Sequence, residues 1–463
     1  MKRLQNLSVS LWGNFIGTLK NLKTADPEIY KAIKNELKRQ RNSLELIASE
    51  NCASINVLNT LGTVLSNKYS EGYPKKRYYA GNEFIDVIEA IAIERAKSLF
   101  KVPHANVQPL SGAPANFAVY AALCKPGDTI MGLNLSDGGH LTHGWKTNVT
   151  GEFFRSVPYH VKENGYIDID EARKLALENK PKLIWIGATA YSRELPFEEF
   201  AKIADECGAY LIADIAHVAG LVAGGAHKSP VDYVHIVTTT THKTLRGPRG
   251  AMIMVTDKGL KKDPVLAEKI DKAVFPGIQG GPHDNVTAAI AVALLEASGQ
   301  EFAEYASQIV KNSKALAQGL VSNGLKIVTD GTDNHLILVD LTPFGKGKGL
   351  FAQEGLELAG IVVNKNTIPK EPSGPFYPSG IRLGTPAITT RGMKDGEMPV
   401  IAKLIADVIG QIKGYEMPED KEKRAPYLKR FRKEIKRNST IKECRERVEE
   451  LCDRFPLYPE LKL

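Results

Sequence analysis

The run Lys182–Asp214, KLIWIGATAYSRELPFEEFAKIADECGAYLIAD, decides the fold. Lys182–Ala188 is a nearly continuous apolar run of strand length, Phe197–Cys207 reads as a helix, and Ala209–Asp214 repeats the apolar strand. Apolar strands without polar alternation are covered on both faces, and strands alternating with helices build a mostly parallel sheet between helices. Further out, Asp128–Leu133, Tyr233–Val237 and Ala251–Val255 supply three more strands. Glu83–Phe100 predicts a helix, and Val107–Ser111 a short strand that breaks at Ser111-Gly112 before a helix over Ala115–Leu123. In such sheets ligands bind beyond the carboxyl ends of the strands. Thr189, Asp214 and the run Thr238–Lys243 all fall there, so three separate polar segments are expected to share one crevice.

Thr238–Gly250, TTTTHKTLRGPRG, sets Lys243 between a hydroxyl run and a tight Gly-Pro-Arg-Gly turn. A lysine held in a crowded loop can form an imine with a carbonyl, unlike a solvated surface lysine. Strand, glycine turn and helix start at Gly112 aim free N–H groups at an anion, typically phosphate. Asp214, three residues before His217, is the ionised group that a pyridine nitrogen needs to stay protonated. Together these point to a pyridoxal-type cofactor on Lys243. In GGHLTHG, Gly138–Gly144, His140 suits stacking on a flat ring. His140 and His143 have no acidic or cysteine partner at ligand spacing, so no metal is expected. In KYSEGYPKKRYYAG, Lys68–Gly81, four tyrosines surround Glu71, as in a surface loop that binds a polar ligand.

Composition sets the outer bounds. The 463 residues allow two or three structural units, and 43% hydrophobic with 25% charged residues is ordinary for a soluble protein. The formal charge of +8 suits anionic small molecules as well as nucleic acid. Five scattered cysteines without a C-x-x-C pair argue for a reducing compartment, hence the cytoplasm. No stretch approaches a membrane span. Met1–Thr24 reads as a flexible or partner-wrapping arm rather than a cleaved targeting peptide.

Asp26-Pro27 predicts an N-cap and first helical residue, with a helix to about Arg41. After a glycine turn at Phe275–Pro282 come helices over Val286–Ala297 and Phe302–Ser322, strands near Leu325–Val328 and His335–Asp340, and a proline-rich loop over Asn364–Pro378 that Pro378–Pro386 closes. Ile401, Leu404, Ile405, Val408 and Ile412 mark an amphipathic helix. Lys429–Arg437 reads as a solvated amphipathic helix carrying Phe431 and Ile435 rather than a nucleic-acid face. The expected division is an arm, helix and active-site loop over 1–80, a large cofactor-binding domain over 81–297, and a smaller C-terminal domain with a basic helical tail over 298–463.

The segments LELIASEN, KYSEGYPKKRYYAG, NVQPLSGAPANFAVY, DGGHLTHG, ADIAHVAGLVAGG, TTTTHKTLRGPRG, FPGIQGGP and SGIRLGTPAITTRG, spread over Leu44–Gly392, closely resemble the serine hydroxymethyltransferase family. The resemblance implies an α/β fold of the fold-type I pyridoxal-phosphate transferases, like aspartate aminotransferase, with a smaller α+β domain. It implies that Lys243 carries pyridoxal 5'-phosphate as a Schiff base, that Asp214 pairs with the pyridine nitrogen and that His140 stacks on the ring. Thr189 and His217 are implied near the phenolic oxygen. Ser111, Gly112 and Ala113 are implied at the phosphate, helped by His242 and by Tyr69 and Gly281 of a second subunit. Thr240 and Arg249 complete the cofactor set, with Arg249 closing the Gly-Pro-Arg-Gly turn. Ser49, Tyr79 and Arg382 would bind the amino acid, and Glu71 would transfer a proton. Glu71, Leu135, Gly139, Leu141, Asn366 and Phe376 would form the folate site. Ala113 departs from the serine that many members carry.

The implied reaction is reversible transfer of the serine hydroxymethyl carbon to tetrahydrofolate or a related pterin, by a homodimer with shared sites or a tetramer. A pterin-independent aldolase of the same fold stands as the alternative. A non-catalytic nucleic-acid-binding protein is the alternative from another class.

Overall fold

Seven strands make the central sheet in the computed structural model, which describes residues 19–461. In chain order they are β1 (His104–Asn106), β2 (Thr129–Leu133), β3 (Arg155–Tyr159), β4 (Leu183–Ile186), β5 (Tyr210–Asp214), β6 (Ile236–Thr240) and β7 (Ala251–Val255). Across the sheet they lie β1-β7-β6-β5-β4-β2-β3. The run from β3 to β6 is parallel, and β7 is antiparallel to both β6 and β1.

The strands β2, β4, β5 and β7 are largely apolar because both of their faces are covered. Met131, Ile184, Leu211 and Met252 enter one core with Phe197 and Phe200 of the helix Phe197–Cys207. Their neighbours Ile130, Trp185, Ile212 and Ile253 enter a second core with Ala115 and Val119 of the helix Gly112–Leu123. Successive side chains point to opposite faces, so a sheet covered on both sides shows no polar alternation.

In the central sheet, two of the expected strands lie elsewhere than expected. The first is β1, at His104–Asn106 rather than Val107–Ser111. Downstream of it the Gln108 N–H is taken by Asn106 Oδ1 at 3.0 Å, and Pro109 has no N–H to give a ladder. The second is β6, three residues later than Tyr233–Val237, because the Tyr233 and Val234 N–H groups turn back onto the Pro230 carbonyl. The threonine run is therefore strand, with Thr238, Thr239 and Thr240 buried, as β-branched residues suit.

A third core holds the C-terminal part. Its sheet contains β8 (Lys326–Ile327), β9 (Leu336–Asp340), β10 (Asn364–Asn366) and β11 (Gly380–Gly384), in the antiparallel order β8-β9-β11-β10. Here Gly380–Gly384 is a fully buried strand, not the end of a loop. Leu44 and Leu46 also enter this core, where Leu44–Glu45 pairs parallel with Ile361–Val362.

At the N-terminal side, Pro27–Arg41 is a helix as expected, and the Ile29 N–H donates to Asp26 Oδ1 at 3.1 Å. Most of the expected arm, residues 1–18, lies outside the described residues; Leu19–Ala25 is helical. The basic C-terminal segment forms the helix Lys421–Ile435, which turns Leu428, Phe431 and Ile435 inward. Arg432 pairs there with Glu354 at 2.6 Å. No single helix among the described residues is long and apolar enough to cross a membrane.

Phe431 is fully buried, edge-on to Phe351 at 4.8 Å and to Tyr415 at 4.7 Å. Phe431→Ala is expected to lower unfolding free energy by about 3–5 kcal/mol, as urea unfolding would measure. A loss below about 1 kcal/mol would show that the tail helix is not anchored through this ring.

Candidate active site

The carboxyl ends of β4, β5 and β6 and the start of the helix Gly112–Leu123 surround a recess lined by Gly112, His140, His143, Ala188, Thr189, Asp214, Ala216, His217, Thr240 and Lys243. Lys243 follows β6 by three residues and is 9% exposed. Burial pushes its pKa down to about 8, with Arg382 and Arg249 adding to the shift and Asp214 opposing it. The loop is closed by Thr241: its hydroxyl donates to the Pro248 carbonyl at 2.6 Å and its carbonyl accepts from the Gly247 N–H at 2.7 Å. Arg249, expected to close this turn, is exposed and acts on Lys243 and His242 only as a nearby charge.

Asp214 ends β5. Its Oδ2 accepts from Asn116 Nδ2 at 2.8 Å and faces His143 Nε2 at 3.1 Å, while Oδ1 accepts from the Ala216 N–H at 3.0 Å. Burial opposes the charge, but the His143 and Asn116 hydrogen bonds and the nearby His140 hold the carboxyl well below the usual range. The His143 ring is itself fixed, stacked on Trp185 at 5.1 Å and 9°. His140 lies next to it, with Nδ1 at 2.7 Å from Thr142 Oγ1, and burial pushes its pKa down to about 4. His140, His143 and Asp214 thus gather three donors within 4.8 Å. Sequence spacing missed this grouping because Asp214 comes from a different strand. The donor atoms of His143 and Asp214 already bond each other, and His140 Nδ1 is engaged by Thr142.

Arg382 reaches the same region from β11 and is 9% exposed. It donates to the Thr189 carbonyl at 2.6 Å, Asn364 Oδ1 at 2.9 Å and Ser49 Oγ at 3.3 Å. Thr189 turns its hydroxyl to the Gly139 carbonyl at 3.0 Å. Ser49, Thr189 and Arg382 therefore stand together at one side of the recess. Next to it, Leu135, His140, His143 and Trp145 help line a cavity of about 210 Å³. The Thr367 hydroxyl donates to the Ser136 carbonyl at 2.9 Å, which ties the Asn366 strand end to the turn holding Leu135 and Gly139. Leu141 and Phe376 are exposed, at 46% and 81%.

Glu71, Tyr69, Tyr79 and Gly281 form a separate group. Tyr69 and Tyr79 meet edge-on at 5.1 Å, Glu71 raises the Tyr79 phenol by its charge, and a Cβ on Gly281 would lie 3.4 Å from the Tyr69 ring. None of the four is among the residues that line the Lys243 recess.

The serine hydroxymethyltransferase family model matches residues 22–405. A curated serine hydroxymethyltransferase from Cyanothece sp. is 52% identical over 441 residues, covering 95% of this chain and 96% of that protein. The chain belongs to the serine hydroxymethyltransferase family. Members use pyridoxal 5'-phosphate, with tetrahydrofolate as co-substrate.

The residues present fit that cofactor. Ser111 caps its helix without a side-chain bond, so the Gly112 and Ala113 N–H groups face outward from the helix start. A Cβ on Gly112 would come within 2.8 Å of Thr240 Cγ2, so only glycine lets helix and strand approach this closely. His242 Nδ1 and Thr238 Oγ1 are buried without a partner. Sequence reasoning missed Asn116, His143 as the partner of Asp214, and Asn51, whose Nδ2 donates to the Lys243 carbonyl at 3.0 Å. A lone amide inside the apolar helix segment ANFAVYAA was the available signal for Asn116.

Lys243 gives a pH prediction whose sign can be worked out. Its folded pKa, about 8, lies below the unfolded value of roughly 10.4, so charging disfavours folding. The penalty is absent above both values, grows as pH falls, and is complete below about 8. Cofactor-free Lys243→Met is therefore expected to be more stable than the cofactor-free parent at pH 7, with the gap closing toward pH 10. A gap that does not change between these pH values would contradict a neutralised lysine.

Proposed function

We propose that this chain interconverts L-serine plus tetrahydrofolate with glycine plus 5,10-methylenetetrahydrofolate, using pyridoxal 5'-phosphate held on Lys243. The observation that carries the reading is the facing of a depressed-pKa lysine and an ionised carboxylate across one recess, at a helix start with free N–H groups. Bound there, the cofactor supplies an electron sink for the bond broken at the serine α-carbon.

The side chains divide the remaining work. Lys243 is the covalent anchor, and a pKa near 8 leaves a usable neutral fraction of its amine at physiological pH. Asp214 supplies the fixed negative charge for the pyridine nitrogen, and His140 the flat face beside it. Gly112, Ala113, Ser111, Thr240 and His242 receive the phosphate; at position 113 a backbone N–H acts where a side-chain hydroxyl is absent. Arg382 binds the substrate carboxylate, helped by Ser49. Its hydrogen bonds hold the guanidinium at a set angle, which orients the scissile bond. Burial lowers its pKa only to about 10, so it stays charged.

The pterin is assigned to the space among Leu135, Gly139, Leu141, Asn366 and Phe376. Glu71, Tyr69, Tyr79 and Gly281 are assigned to the recess of a second copy, since they cluster away from this chain's own recess. On this reading the protein is a homodimer in the cytoplasm. The division into arm, large cofactor unit and small C-terminal unit is kept as part of this reading; separate apolar cores support it, although Leu44 and Leu46 join the C-terminal core and Phe302, Ala306 and Ile309 join the central one.

The purified protein is expected to show cofactor absorbance sensitive to borohydride, and a long-wavelength band with glycine that grows on adding tetrahydrofolate. Lys243→Ala should lose both the borohydride-sensitive absorbance and turnover. Serine cleavage at full rate without any pterin would instead favour an aldolase.

Sharing of sites is tested by mixing. Lys243→Ala and Glu71→Gln are each expected to be inactive as pure proteins. After dissociation and reassociation, the mixture should regain about a quarter of parental activity, because half the dimers then own one intact site. No recovery in mixed dimers would mean that each chain supplies its own Glu71.

A further inference from the structure

His217 lines the Lys243 recess, but only one of its nitrogens is available to it. Its Nδ1 lies 3.3 Å from Nε2 of His335, and the two rings stack at 5.5 Å between centroids and 27° between planes. The histidines are 6% and 1% exposed. They come from different cores: His217 follows β5 of the central sheet, whereas His335 immediately precedes β9 of the C-terminal sheet.

Burial holds both imidazoles neutral, aided for each by the positive charges of Lys243 and Arg382. A neutral imidazole carries one N–H and one lone pair, so a contact between two of them has a direction. If His335 Nε2 were the donor, His217 would turn an N–H toward the side of the recess that holds Lys243. If His217 Nδ1 is the donor, His217 turns a lone pair toward those positive groups instead. The second arrangement is favoured at the far end too, because the Ala48 backbone stabilises a proton on the His335 ring. His335 Nδ1, which has no partner at full hydrogen-bond geometry, is the nitrogen left to carry that proton.

We propose that His335 is a positioning residue: it accepts the Nδ1 proton of His217 and thereby keeps the Nε2 lone pair of His217 directed into the Lys243 recess. His217 can then only accept a hydrogen bond there, from a hydroxyl or N–H of cofactor or substrate. A tautomer that donated would favour a negatively charged oxygen at the same point. The role of His335 is thus to set which protonation state of the bound group His217 rewards.

The test is the ¹⁵N spectrum of histidine-labelled protein, recorded for the holoenzyme and after cofactor removal, with His217 assigned by its substitution. Expected are a protonated Nδ1 and a bare Nε2 on His217. His335→Gln keeps an acceptor carbonyl and should preserve this pattern, whereas His335→Phe removes the acceptor and should shift His217 toward the Nε2-protonated form. In turnover, His335→Phe is expected to lose about 10-fold in kcat with little change in the serine KM, and His335→Gln to recover most of it. A parental His217 protonated on Nε2, or a tautomer that His335→Phe leaves unchanged, overturns the proposal. Should His335→Phe fail to fold, the parental and His335→Gln spectra decide alone. Only the kcat effect rests on the recess being the cofactor site. The cofactor-free spectrum reads the histidine pair independently of it.

Discussion

The negative charge of Asp214 is the constraint from which the site is built. A carboxylate removed from water costs several kcal/mol unless it is paired and hydrogen-bonded. Here the compensation comes from three places: Asn116 in the helix Gly112–Leu123, His143 after β2, and the Ala216 N–H beyond β5. Trp185, on the neighbouring strand β4, fixes the plane of the His143 ring. The charge can therefore exist only when sheet, helix and loop are all in register. The same packing that stabilises the sheet prepares the site.

Against that charge stand two cations under tension. Lys243 and Arg382 are both buried and repel each other, and each has its pKa lowered by burial. The lysine yields and the arginine does not, because a shift from 12.5 to about 10 still leaves a guanidinium charged at neutral pH. One recess thus holds a permanent cation suited to a carboxylate and an amine close to neutral, suited to covalent chemistry. Residue type decides between the two roles, since both environments are comparably dry.

The sheet was legible wherever both faces of a strand are buried, because KLIWIGA, AYLIAD and AMIMV leave no other reading. Legibility failed where a polar residue serves a buried site. Threonines of β6 look like a hydroxyl loop, and Arg382 in the middle of GIRLG disguises a strand whose Ile381 and Leu383 face the C-terminal core. Motifs point to Lys243, Asp214, His140 and Arg382; the first three line one recess, and Arg382 reaches its edge through the Thr189 carbonyl. Asn116, His143 and His335 could not be found that way, since their partners lie 98, 71 and 118 residues away and nothing local marks a hydrogen bond of that span.

The parallel pairing of Leu44–Glu45 with Ile361–Val362 bears on biosynthesis. Ser49, just beyond that strand, meets Arg382 across 333 residues of chain. At roughly 5–20 residues per second, a ribosome needs about 15 to 70 seconds to make that interval. During it the segment LELIAS has no strand to join, although the central sheet ends at Val255 and can already assemble. The nascent chain must keep this apolar piece from wrong partners until its last third emerges, and the side of the recess that holds Ser49 and Arg382 cannot form before then.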